Sequence, residues 1–166
     1  MAADAGSHRP VTPGLHQPIA PGPCPVRAGL YQLGRAEYNS VITQATRGGG
    51  KILDWEQVAR DIVDAVAAKL GEDILLLDIR SVATFADYFI IGSGNSERQL
   101  DALHREIVDQ MRTSGLHALH SEGTGSSGWI LLDYGAVVVH LFLPGVRRHY
   151  DLEHLWKDGR TLLRLL

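Results

Sequence analysis

The sequence predicts a single α/β domain: a mixed β-sheet of about five strands flanked by helices, preceded by a segment with no regular pattern. Three observations carry this. Helical and strand periodicities alternate along the chain after residue 50. A strand–helix–strand unit over residues 87–122 requires a parallel crossover. A short apolar pair of strands around Tyr134-Gly135 reads as an antiparallel hairpin. The chain has 166 residues, 45% hydrophobic and 21% charged, ordinary values for one globular domain with an extension.

Six of the seven prolines fall within the first 25 residues, where no period is visible, so residues 1–50 are expected to be a disordered N-terminal extension. No apolar core follows a basic start, which argues against a secretory signal. The stretch is too proline-rich for an amphipathic transit helix, so a dispensable extension or a start codon placed too far upstream is the favoured reading. The domain is expected over 51–160, with 161–166 as a C-terminal tail. The only cysteine, Cys24, permits no internal disulfide, and no apolar run is long enough to span a bilayer.

Within the domain, "DWEQVARDIVDAVAAKLG" predicts a helix with Asp54 as N-cap, Gln57 reaching back and Gly71 as the stop. Val58, Ile62, Val66 and Leu70 make its apolar face. "DILLLDIR" and "DYFIIGSG" read as strands. "NSERQLDALHREIVDQMRTSG" is a second helix, capped by Ser96 with Gln99 and lined on its buried face by Leu100, Leu103, Ile107 and Met111. "LHALHSEG" is a third strand. "WILLDYGAVVVHLFL" forms the hairpin, its Val137–Val139 run favouring strand, and "VRRHYDLEHLW" a short helix.

The spacing of the residues gives poor support for a catalytic site. "IIGSGNSERQ" places glycines between a strand and a helix, but the phosphate-loop lysine is absent and G-x-G-x-x-G fails at Gln99 or Glu97. No D-x-D or D-x-E lies downstream on a strand to hold two metal ions; "DYG" ends a strand with Asp133 alone. His117 and His120 point to opposite faces of a strand, and His149 and His154 to different sides of a helix, so no zinc set has suitable spacing. No serine sits in a nucleophile elbow. His140, among valines, reads as a packed histidine. No cofactor is implied.

Charge points to a partner instead. Residues 1–50 carry four basic and two acidic residues, a net of +2; residues 51–166 carry 12 against 17, a net of −5. An acidic domain is a poor binder of nucleic-acid backbone and a better partner for a basic protein. Trp129, Tyr134 and Tyr150, with Arg147 and Arg148 beside them, are residue types that anchor interfaces, although each aromatic is equally compatible with a core position. The hairpin tip is where Tyr134 would meet solvent. Trp156, spaced with Leu152 and Leu155, is favoured as core.

Three blocks, "DYFIIGSGNSERQLDAL", "EG…WILLDYG.VVVHLF" and "RRHYDLEHLW", resemble the ribosomal silencing factor (Iojap-like) family, in order from about residue 54 to 157. The resemblance implies a non-enzymatic protein with a nucleotidyltransferase-like sheet lacking the catalytic acids. It implies docking on the large ribosomal subunit through its fourteenth protein, on the face that meets the small subunit, so that subunit joining is blocked and translation falls when nutrients are short. The contact positions then fall on Trp129, Tyr134 and Tyr150, with Asp133, Arg147 and Arg148 as polar rim. A bacterial cytoplasm, no sequence-specific nucleic-acid contact, no membrane and a homodimer in the free state are compatible with it. Where the family usually has an acid after the hairpin glycine, this chain has Ala136. The alternatives are a nucleotidyltransferase-like protein that binds nucleotide at Gly92–Ser96, and a self-associating module using the same aromatic surface.

Overall fold

A computed structural model describes residues 53–166; the expectation for residues 1–50 lies outside the described residues. The elements are α1 (Trp55–Ala68), β1 (Glu72–Asp78), β2 (Tyr88–Ser93), α2 (Glu97–Thr113), β3 (His120–Glu122), β4 (Trp129–Asp133), β5 (Val137–Phe142), α3 (Pro144–Tyr150), α4 (Leu152–Leu155) and β6 (Arg160–Leu165). They build one mixed sheet in the order β3-β4-β5-β2-β1-β6. Among the described residues only β2 and β5 pair in parallel; every other pairing is antiparallel.

Six strands replace the five expected. The last residues are not a tail: Arg160–Leu165 pair antiparallel with β1 along its outer edge. Their pattern is masked because an edge strand needs to bury little, and here only Leu162 and Leu163 are half-buried. The expected crossover exists, but its strands are not neighbours. The chain leaves β2, runs through α2 and returns at β3, three places away, and the two strands of the hairpin fill the gap. The segment read as a third strand is reduced to His120–Glu122.

The two long helices form because their caps and apolar spacing agree. The Asp54 carboxylate accepts the N–H groups of Glu56 (3.0 Å) and Gln57 (3.2 Å) at the start of α1. The Gln57 amide donates to Asp61 instead of reaching back. The stop also differs by one residue: Leu70, not Gly71, takes the left-handed conformation (φ 60°) and is 78% exposed. Gly71 is required for space, since a Cβ there would sit 2.3 Å from Val66 Cγ1. In α2, Leu100, Leu103, Ile107 and Met111 are all buried as the spacing demands. Removing each from water contributes roughly 1.5–3 kcal/mol.

Strand alternation sorts the sheet into two faces. One carries Ile74, Leu76, Ile90, Ile130, Val139 and Leu141 and packs under α1 and α2. The other carries Leu75, Leu77, Phe89, Ile91, Val138 and Phe142, and meets α3, α4 and the loop around Phe85. The single helix expected over "VRRHYDLEHLW" is broken by Asp151, whose φ of 42° ends α3 and begins α4.

Candidate docking surface

The second sheet face is where the chain concentrates its aromatic residues, and strand register explains how. Ser93 stands opposite Phe142 in the β2–β5 pair, and Phe142 opposite Trp129 in the β4–β5 pair, so the three form a row across the sheet. Helix α3 lies over that row. Tyr150, at its end, rests on Trp129 with ring centroids 4.7 Å apart and on Phe142 at 6.5 Å. Trp129 is itself 4.9 Å from Phe142. His140, on the same face, lies edge-on to Phe89 at 4.9 Å and tilted to Trp129 at 5.8 Å. Trp156 packs edge-on against Phe89 and Phe85, as its core assignment required. Offset and edge-on pairs of this kind add about 0.5–1.5 kcal/mol each beyond burial and hold the rings in fixed orientations.

The six residues expected to form the surface separate. Trp129 and Tyr150 are half-buried and in contact; Arg148 is exposed on α3. Tyr134 is a correction. It is 3% exposed and belongs to the core beneath the long helices, on the opposite face from Trp129. The hairpin tip does not project, because Asp87 and Tyr88 both donate their N–H groups to the Ala136 carbonyl and draw the turn against the start of β2. Burial pushes the Tyr134 phenol up to about 12, and its hydroxyl has no hydrogen-bond partner among the described residues. Asp133 is buried too: its carboxylate accepts the Gly135 N–H at 2.7 Å and stabilises the turn.

Arg147 is the second correction. Expected on the rim, it is 6% exposed. Its Nε donates to Glu153 at 2.6 Å, and its Nη1 donates to the Asp73 carbonyl at 2.6 Å and to Ser93 Oγ at 2.8 Å. Its Nη2 lies 3.4 Å from the Asp73 carboxylate. A buried guanidinium must find such partners, because an unpaired one costs several kcal/mol. Phe142, His140 and Ser93 were not singled out from the sequence as members of this face; the signal for the first two was their common parity with Trp129 through the hairpin.

The glycine turn after β2 serves packing. A Cβ on Gly94 would meet Leu100 Cδ1 at 2.8 Å. The Gly94 N–H goes to the Phe142 carbonyl, that of Asn95 to Gln99 Oε1, and that of Gln99 to Ser96 Oγ. These three amides are therefore engaged by the chain itself. Nearby, at the carboxyl ends of β2 and β5, a cleft of about 480 Å³ is lined by Ser93, Arg147, Arg148, Asp73, Asp151 and Glu153 among others. Much of its charge is internally paired through Arg147. Among the described residues no group of three or more His, Cys, Asp or Glu side chains is placed to hold a metal ion, and no helix is long and apolar enough to cross a membrane.

Fold and surface together define a small α/β module with two long helices sealing one side of its sheet and an aromatic shelf held by short helices on the other. A family model described as ribosomal silencing factor during starvation matches residues 53–164, and the chain belongs to that family. Its members are regulatory proteins of the ribosome by name. The ribosomal silencing factor RsfS of Bacillus subtilis is 46% identical over 91 residues, covering 55% of this chain and 77% of the relative. The mouse protein named mitochondrial assembly of ribosomal large subunit protein 1 is 32% identical over 98 residues, covering 57% of this chain and 43% of its own length. A crystal structure of a Chromobacterium violaceum protein, 32% identical, superposes with a TM-score of 0.61 over 69% of this chain and 94% of that one.

Proposed function

We propose that the protein silences translation by docking on the large ribosomal subunit through its fourteenth protein, at the surface where the small subunit must join, in a bacterial cytoplasm. Docking excludes the second subunit sterically; no bond is made or broken and no cofactor is needed. The observation that supports this reading is the Trp129–Tyr150 pair on the sheet face that the long helices leave uncovered. Paired aromatics supply large contact area at little entropic cost, which is what an interface anchor requires. Arg148 is the exposed cation beside them and belongs to the rim. The net charge of the domain suits a basic ribosomal protein. Arg147 supports this surface from within, whereas Asp133 holds the hairpin turn and Tyr134 belongs to the core of the opposite face.

Co-sedimentation of the purified chain with separated large and small subunits, at two salt concentrations, tests the reading. Binding to the large subunit only, lost in Trp129→Ala, followed by inhibition of subunit joining, is the expected result. Binding to neither subunit overturns it. Titration with ATP and Mg²⁺ is expected to give no heat, given the engaged amides of the glycine turn. Self-association through the same shelf would compete with docking and would appear as mass rising with concentration in light scattering.

A further inference from the structure

Two residues one helical turn apart on α3 look down on the same row of the sheet. Arg147 reaches Ser93 at one end of the Ser93–Phe142–Trp129 row, and Tyr150 lies on Phe142 and Trp129 at the other. The helix has only seven residues, and its N-cap Leu143 makes no side-chain cap bond. It ends at Asp151 in the left-handed region. A helix this short does not hold itself, so its placement depends on its contacts.

We infer that Arg147 is a positioning residue for the docking surface, fixing Tyr150 against Trp129 without touching the partner; this deepens the docking reading and rests on it. One guanidinium ties together four elements. It bonds Ser93 at the end of β2, the Asp73 backbone at the start of β1, and Glu153 on α4, while its own backbone belongs to α3. Its carbonyl also accepts the Asp151 N–H at 2.8 Å, so the break between α3 and α4 is held from the same residue. The five fixed donors of arginine can serve such divergent acceptors at once; the ammonium of lysine, on a longer flexible stem, cannot match the fork. With the clamp released, α3 loses its tie to β1, β2 and α4, and the apolar packing of Val146 and Tyr150 on the sheet no longer has a fixed helix behind it to hold the Tyr150 ring at its place on Trp129.

The test uses the full chain labelled with 5-fluorotryptophan, with the Trp129 resonance assigned from Trp129→Phe. In Arg147→Met that resonance is expected to move in the free protein, because the ring current of Tyr150 is displaced. Large-subunit binding is expected to weaken at least tenfold with the salt dependence of the remaining affinity unchanged. Arg147→Lys is expected to fall between wild type and Arg147→Met on both readouts. Should Arg147→Met fold poorly, Glu153→Gln removes one arm of the clamp at a residue that is 26% exposed in its side chain, and a smaller shift with about threefold weaker binding is expected. Wild-type binding by Arg147→Met while Trp129→Ala is inactive overturns the inference and leaves the docking reading intact. Loss of binding with an unmoved Trp129 resonance and a shallower salt dependence also overturns it, since it would make Arg147 a direct contact. Wild-type binding by Trp129→Ala removes the docking reading and this inference with it.

Discussion

Tyr150 meets Trp129 across the end of helix α3 with ring planes inclined at 47°, a contact between the last residue of one element and the first residue of another. Both residues are half-buried, so part of each remains accessible to a partner. Trp129→Ala and Tyr150→Ala are each expected to weaken large-subunit binding by about 2 kcal/mol or more, roughly thirtyfold, while the far-ultraviolet spectrum stays that of the folded domain. Sedimentation titrations well below the melting temperature measure it. Wild-type affinity in both variants would displace the surface from this shelf.

Tyr134 is predicted to behave in the opposite way. Its hydroxyl is buried with no partner among the described residues, an arrangement that costs about 1–3 kcal/mol. Tyr134→Phe is therefore expected to stabilise the domain by about 1 kcal/mol in urea unfolding and to leave ribosome binding unchanged. The alkaline limb carries a second signature. Burial raises the folded-state pKa from 10.0 to about 12, so the stability is fully present below 10 and is lost as pH rises from 10 toward 12, where only the unfolded chain ionises. Burial also raises Tyr88, which contributes a loss of the same sign. Tyr134→Phe should flatten this limb without abolishing it.

The acid limb is expected to involve Asp78. Arg80 Nε and Nη2 donate to its carboxylate at 2.9 and 2.5 Å, and this bonding holds its pKa below the usual 3.8 despite partial burial. A depressed carboxylate contributes stability that is present above 3.8 and lost as pH falls through the folded-state value. The difference in unfolding free energy between pH 6 and pH 3 should shrink in Asp78→Asn. The change should be under about 1 kcal/mol, because the Arg80 side chain is 44% exposed and solvent screens the pair. An unchanged difference would remove Asp78 from the acid transition.

Leu70 offers a stability gain remote from the surface. It holds φ of 60° at the end of α1 with most of its side chain in water. The left-handed conformation costs a non-glycine residue about 1–2 kcal/mol. Part of that is offset by the greater freedom glycine has when unfolded. Leu70→Gly is thus expected to raise stability by about 0.5–1 kcal/mol, measured by urea unfolding, with ribosome binding unaffected. A loss of stability would mean that the bond from Gln99 Nε2 to the Leu70 carbonyl, 2.7 Å, depends on the leucine.

What the sequence determined by itself was local. The caps at Asp54 and Ser96, the four-residue stripe of α2 and the hairpin through Gly135 follow from bonds and spacings within a few residues, and each formed where it was read. The family blocks also lie in those elements. What tertiary structure decided was which side of the sheet each side chain occupies and what it finds there. Tyr134 reads as a solvent-facing turn residue, yet the loop ahead of β2 closes over the hairpin tip. Arg147 reads as surface charge, yet its acceptors come from Asp73, Ser93 and Glu153, drawn from three elements spread along the chain. Strand β6 reads as a tail because an edge strand requires neither burial nor alternation, only a free edge on β1. Local pattern sets each residue's conformation; its neighbours are set by the order in which strands assemble, and no short stretch of sequence contains that order.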